Sequence, residues 1–261
     1  YHFTKHIHPL RNIKTVADLD KYPFPDMYSE YRYETLKADA DKLRADDYFV
    51  IGNVGHIFEM AWYMRGMENL LMDFIDNQDF ANAFLDKITD IQCFVAKKQA
   101  EVDVDIIHLG DDVAMQHKMI MRPDTWRYWL KPRLAKVINS AKVIKPKVHI
   151  FYHSDGNIED IIPDLIEVGV DVLNPVQPEC MDPVQLKKQY GDKLSFWGTI
   201  GTQTTMPFST PDEVKRVVTN MIETVGKNGG LVVAPTHTLE PDVPWANIVA
   251  FFEAVEEYEY K

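Results

Sequence analysis

Residues 148–156 read Val148-His149-Ile150-Phe151-Tyr152-His153-Ser154-Asp155-Gly156, and this stretch decides the fold. Its β-branched and aromatic start has the composition of a buried strand. Ser154-Asp155-Gly156 has turn chemistry, and apolar residues at helical spacing resume at Ile158. His153 and Asp155 therefore stand where a strand gives way to a loop. In parallel α/β proteins that end of the strands is where ligands bind. A second apolar run, residues 231–234, leads in the same way to His237 in Thr236-His237-Thr238-Leu239-Glu240-Pro241-Asp242. On a barrel, two strand-end histidines would converge on one mouth.

Outward from this strand, the pattern predicts further strands over 48–54, 105–110, 170–173, 194–197 and 231–234. Helices are expected over 33–43, 58–76, 80–102, 158–167, 183–190, 211–225 and 244–258. Another opens at Pro123 and is interrupted or restarted at Pro132, since proline suits a first helical turn and breaks an interior. Thr15 caps a single turn ahead of these, and Pro23 and Pro25 stiffen the loop that follows. Six strands alternate with helices, without repeat, linker or low-complexity break. The reading is one α/β domain over 1–261 with a parallel sheet and right-handed crossovers. A (β/α)8 barrel needs eight strands, so about two are missing, presumed to lie upstream of Tyr1. An open doubly wound sheet is the alternative. An incomplete barrel is expected to expose apolar surface, or to be covered by a partner subunit or in a homodimer.

The 261 residues are 46% hydrophobic, enough for a full core, and carry a formal charge of −12. That charge argues against a nucleic-acid surface, which needs clustered Lys and Arg. Two cysteines, Cys93 and Cys180, are too few for a disulfide framework and point to a reducing, cytoplasmic setting. No run approaches the ~20 apolar residues of a membrane span, and no secretory signal is visible. No Gly-x-Gly-x-x-Gly or Gly-x-x-x-x-Gly-Lys segment follows a strand, which removes the usual phosphate cradles.

Polar residues collect at the strand exits: Asn53 and His56; Asp111, Asp112 and Gln116; His153 and Asp155; Asn174, Gln177 and Glu179; His237, Glu240 and Asp242. Any one of them is as well explained by solvation or helix capping, Asp111 and Asp112 included. As a set they would make a polar pocket floor. His153, Asp155, Glu179 and His237 could ligate Zn2+ through nitrogen and oxygen and leave one position open. Without metal, His153 and His237 serve as hydrogen-bond donors or proton carriers. His149 lies on the same strand face, deeper, and reads as an interior histidine. His2, His6 and His8 read as a floppy terminus. Met60, Met64, Met67 and Met72 read as core packing. Cys180 reads as an inert thiol.

These stretches carry a resemblance to a known family. They are Gly110-Asp111-Asp112-Val113-Ala114-Met115-Gln116 with Met121-Arg122-Pro123; Phe151-Tyr152-His153-Ser154-Asp155-Gly156; Asn174-Pro175-Val176-Gln177-Pro178; Phe196-Trp197-Gly198; and the segment around His237 with Pro241-Asp242-Val243-Pro244. In order and spacing the chain resembles the uroporphyrinogen decarboxylase superfamily, which includes cobalamin-dependent methyltransferases. The resemblance implies a distorted (β/α)8 barrel, lacking here its N-terminal strands. It implies that His237 and Tyr63 face the substrate. The arginine-bearing segment that holds substrate carboxylates in the decarboxylases is absent, which leaves Arg65 and Arg122 as the only strand-exit candidates. In the methyltransferase branch the histidine matching His153 is a zinc ligand, followed two residues on by cysteine. Here that position is Asp155, and a later cysteine is approximately His237.

The resemblance leaves three readings. The first is methyl transfer between a small methylated or methoxylated compound and a corrinoid on a partner protein. Catalysis would fall to Asp111, Asp112, His153 and His237, and substrate binding to Tyr63, Gln116, Asn174, Gln177 and Trp197. A zinc ion would be held by His153, Asp155, Glu179 and His237. The second is cofactor-free decarboxylation of a porphyrinogen, with Asp111 or Asp112 stabilising the intermediate. The third is a non-catalytic binding subunit.

Overall fold

The computed structural model describes residues 6–258. Thr15 accepts a hydrogen bond from the Asp18 N–H and opens α1 (Val16–Lys21), as its capping chemistry requires. A 3-10 turn at Glu30–Arg32 precedes α2 (Leu36–Ala45), where the sequence suggests one helix from residue 33. Strand β1 is Ile51–His56. The single helix expected over 58–76 is two, α3 (Phe58–Arg65) and α4 (Met67–Asp76). They break at Gly66, whose φ of +89 a residue with a Cβ rarely adopts. Then come α5 (Gln78–Glu101), β2 (Ile106–Gly110), α6 (Pro123–Trp129), α7 (Lys131–Lys142) and β3 (His149–His153). Pro123 and Pro132 each sit in a first helical turn, so both openings follow the sequence. A 3-10 turn leads into α8 (Ile162–Val168), followed by β4 (Val172–Asn174), α9 (Pro183–Tyr190) and β5 (Ser195–Ile200). The chain closes with α10 (Thr205–Phe208), α11 (Pro211–Thr224), β6 (Leu231–Pro235) and α12 (Trp245–Glu256).

The strands form one sheet in the order β1-β2-β3-β4-β5-β6. The β1/β2, β3/β4, β4/β5 and β5/β6 pairs are parallel. Strand order equal to chain order, with helices between strands, is the winding of a (β/α) barrel. A doubly wound sheet reverses at a switch point, and this one does not. No helix among the described residues is long and apolar enough to cross a membrane.

Two compact units are resolved. Of the described residues, one holds 6–112 together with Arg122–Ile150 and Glu167–Gly169, and the other holds Val113–Met121, Phe151–Ile166 and 170–258. In the first, α5 buries Phe80, Phe84, Leu85, Ile88 and Ala96 at helical spacing and packs along α7. Arg65 is buried there. Its guanidinium pairs with Asp73 at 2.7 Å and donates to the carbonyls of Leu10, Arg11 and Ile13. It ties the N-terminal segment to α3 and so is not placed to receive a substrate carboxylate, contrary to expectation; Arg122 is exposed. The methionine row also departs from expectation: Met60 and Met72 are about half exposed, and Met64 and Met67 are only partly buried. In the second unit, Ile200, Met206, Val214, Val218, Ile222 and Phe251 form a core between β5, α11 and α12.

Candidate functional site

In the first unit, chemistry gathers where β1 runs into α3. Asp111 follows β2 and is 5% exposed. Its Oδ1 accepts the Glu59 N–H at 2.8 Å, and its carboxyl also accepts the Phe58 N–H. It therefore caps α3 from another element, satisfying donors that a helix start leaves open. Burial pushes its pKa up to about 7, against the opposing pull of those two N–H groups and of His56. His56 Nδ1 bonds Glu59 Oε2, and Tyr63 bonds the same carboxylate. Burial alone would lower the His56 pKa. The Glu59 hydrogen bond and the charges of Asp111, Glu59 and Asp112 outweigh it, and the net shift is upward. Burial first, then Glu59 and Asp112, raise the Tyr63 phenol. His6 and His8 are well placed: His6 stacks on Tyr63, and His8 Nδ1 bonds the Tyr63 carbonyl at 2.8 Å. In place of the expected floppy terminus, these two histidines have packing partners, and His2 lies outside the described residues.

In the second unit, the exits of β3, β4 and β5 are linked. His153 and Asn174 are register partners on adjacent parallel strands, so their side chains share a face. His153 Nδ1 lies 2.6 Å from Asn174 Oδ1, and Asn174 Nδ2 donates to the Trp197 carbonyl at 3.2 Å. The turn after β3 is tightly held. Gly156 has φ +85, and a Cβ there would fall 2.6 Å from the Met115 carbonyl oxygen. The buried Gln177 accepts the Gly156 N–H at 2.6 Å, and Val113 N–H donates to Ser154 Oγ. This turn carries Asp155, whose carboxylate offers a ligand atom within 4.8 Å of a His153 ring nitrogen. His237 Nε2 is 3.8 Å from Asp155 Oδ2, with a side chain 49% exposed.

Of the four residues expected to ligate metal, His153 and Asp155 are brought together. No set of ligand atoms from the described residues adds His237 or Glu179 to them within the same 4.8 Å. Glu179 turns to the loop after β5, accepting from the Gln203 N–H and the Thr204 hydroxyl. A Cβ on Gly201 would meet that carboxylate, so a larger residue at the second glycine of Trp197-Gly198-Thr199-Ile200-Gly201 would displace the end of the Glu179 side chain. Gln116 donates to the Glu179 carbonyl at 3.0 Å, and Gln177 and Asn174 are engaged as above, so these amides join loops to one another. Trp197 packs edge-to-face on Phe151 at 5.3 Å. Burial raises the Cys180 thiol, in keeping with an inert reading, and its Sγ meets Gln177 Oε1. His149 is exposed rather than interior, because it stands at the entrance of β3. Glu59 escaped the sequence reading, which weighed strand exits and not the helix turn behind them; the His56-x-x-Glu59 spacing was the available signal. Thr199 also escaped it. Buried, with φ +83, it is a β-branched residue in strained backbone, a state found preferentially at functional sites.

Comparison with known proteins shows the family. A methylated-thiol–coenzyme M methyltransferase of Methanosarcina mazei is 25% identical over 163 residues, 60% of this chain and 40% of that protein's length. A uroporphyrinogen decarboxylase of Aliarcobacter butzleri is 25% identical over 250 residues, 92% of this chain and 68% of the relative. The solved structure of a methyltransferase from M. mazei superposes with a TM-score of 0.70 at 23% identity, over 97% of this chain and 71% of that one. It shares the fold, a TIM-like α/β barrel. The family model for uroporphyrinogen decarboxylase (URO-D) matches residues 4–258, and the chain belongs to that family.

Proposed function

We propose that the chain is an enzyme of the methyltransferase type within this family. It would move a methyl group between a small methylated or methoxylated compound and a corrinoid carried by a partner protein. The observation that carries this reading is the pairing of His153 with Asp155 at the exit of β3, on a turn fixed by Gly156 and Gln177. Imidazole nitrogen and carboxylate oxygen are both donors that Zn2+ accepts, and His153 and Asp155 would supply two of the ligands it needs. Held by His153 and Asp155, it would supply Lewis acidity toward the atom bearing the methyl group. Carboxylate in place of thiolate makes the donor set harder, which favours an oxygen-bound methyl group over a thioether. His237, 3.8 Å from Asp155, adds a proton carrier at the same exit. The methyltransferase among the relatives supports the reading. Decarboxylation of a polycarboxylate is the weaker alternative, because Arg65 is taken up by Asp73 and three carbonyls.

Metal uptake and turnover test this. At mildly alkaline pH the chain should take up Zn2+ or Co2+ stoichiometrically, with occupancy falling as pH drops through roughly 6. His153→Ala should abolish uptake, and His149→Ala should leave it. With cob(I)alamin as acceptor, 2-methoxyphenol should be demethylated. No metal uptake removes the metal reading, and turnover of uroporphyrinogen would establish the decarboxylase instead.

A further inference from the structure

Three strands meet at one hydrogen-bonded chain in the second unit, and its order is fixed by what each group can do. The Trp197 carbonyl oxygen can only accept. The Asn174 amide group 3.2 Å away must therefore be the NH2 end, Nδ2. That choice turns the amide carbonyl, Oδ1, toward His153 at 2.6 Å. A carbonyl likewise only accepts, so His153 Nδ1 carries the hydrogen. In the neutral imidazole the lone pair then sits on Nε2.

Asn174 cannot turn its amide over without setting Oδ1 against the Trp197 carbonyl, two acceptors with no hydrogen between them. Its backbone carbonyl accepts the Ser154 N–H at 2.8 Å, which holds β4 against the residue after His153. The β4/β5 ladder pairs Leu173 with Phe196 and goes no further, so the side chain of Asn174 takes the next β5 carbonyl where backbone pairing stops. The unit thus sets the tautomer of one histidine from a carbonyl two strands away. Such a hydrogen bond fixes the tautomer of a metal ligand and equally of a proton carrier, and the Asp155 carboxylate within ligand reach of His153 turns the reading toward a metal.

We propose that Asn174 is a positioning residue that holds His153 as its Nδ1–H tautomer and aims the Nε2 lone pair at a divalent metal. This rests on the metal reading of His153 above, and it goes further by giving Asn174 a role other than substrate contact. Asn174 touches neither metal nor substrate in this scheme and acts through His153.

The test uses the full chain, ring-15N-labelled histidine and Zn2+ as the probe. Nitrogen spectra of the metal-free chain, with His153→Gln to assign the signal, report the tautomer directly. The expected result is a single Nδ1–H form in the native chain. Asn174→Leu should release it to a mixture or to Nε2–H and weaken Zn2+ binding about 10- to 100-fold by calorimetry. Asn174→Asp keeps an acceptor opposite Nδ1. It should retain the Nδ1–H form and bind Zn2+ at least tenfold more tightly than the leucine variant, a rescue that a merely structural role would not give. An Nε2–H tautomer in the native chain overturns the proposal, as does Zn2+ affinity unchanged in Asn174→Leu. Should the leucine variant fail to fold, the native tautomer still decides, and Asn174→Asp is read against the native chain: it should keep the Nδ1–H form and a Zn2+ affinity within about tenfold of native, and loss of either overturns the proposal. A native Nδ1–H form with no Zn2+ binding would overturn the metal reading and this proposal's metal-directed half, leaving the tautomer lock itself in place.

Discussion

At the residue scale, the buried Asp111 carboxyl couples protonation to stability. Its folded pKa of about 7 lies above the ordinary 3.8, so the folded chain binds this proton more tightly than the unfolded one. The contribution is present in full below about pH 4 and is lost as pH rises through about 7. Denaturant unfolding of the native chain should therefore show stability falling across that window, by a few kcal/mol at most. Asp111→Asn keeps an oxygen for the Glu59 N–H and has nothing to ionise, and its profile should be flatter between pH 4 and 7. An unchanged slope would mean that another group is responsible. Beside it, burial lowers the His56 pKa and the Glu59 hydrogen bond is the largest of the influences that raise it. Glu59→Gln removes the carboxylate, and the His56 pKa followed by proton NMR should fall; a pKa that stays raised would assign the effect to Asp111 and Asp112 alone.

At the scale of elements, what matters is how each strand ends. The turn after β3 needs glycine for two reasons, a left-handed φ and a carbonyl 2.6 Å from where a Cβ would go. Gly229, at φ +84, has only the first reason, since nothing lies within 4 Å of its Cβ position. Gly229→Ala should cost about 1–2 kcal/mol, the price of a left-handed alanine. Gly156→Ala should cost clearly more and should also weaken metal uptake by displacing Asp155, as thermal unfolding and Zn2+ calorimetry would show. Equal costs would mean that the Met115 carbonyl yields easily. This contrast also marks what could be read from sequence. Ser154-Asp155-Gly156 announces a turn, and Pro123, Pro132 and Thr15 announce helix starts, because those effects are local. Gly66 did not announce a break, because apolar spacing continues across it from Met64 to Leu70. The links from Asn174 to His153, from Gln177 to Gly156 and from Arg65 to the N-terminal carbonyls join distant residues, and no local pattern encodes them. The candidate site was legible as a set of strand exits, but not in which of its members orient others and which are left to act.

For the whole molecule, the outermost strands of the described sheet matter most. β1 and β6 are the outermost strands of the described sheet, and each carries a β-branched residue 45% exposed, Ile51 and Val232. Among the described residues, β1 is paired with β2 and β6 with β5, and an outermost strand can serve as a template for further pairing. The curated methyltransferase and decarboxylase relatives are longer, the chain spanning 40% of the first and 68% of the second. The net charge of −12 opposes association, but repulsion between exposed charges is screened within about 8 Å at physiological salt. The 261-residue chain alone should therefore bind an apolar dye and associate as salt is raised, at protein concentrations where it is monomeric in dilute buffer. Val232→Lys places a charge on the β6 edge without touching the core formed by Ile200, Val214, Val218 and Phe251. It should suppress association in sedimentation runs while changing stability by no more than about 0.5 kcal/mol. If Val232→Lys associates as readily as the native chain while Ile51→Lys does not, the sticking edge is β1. If neither substitution matters and the native chain stays monomeric and dye-silent at high salt, the strand edges are covered by the chain itself.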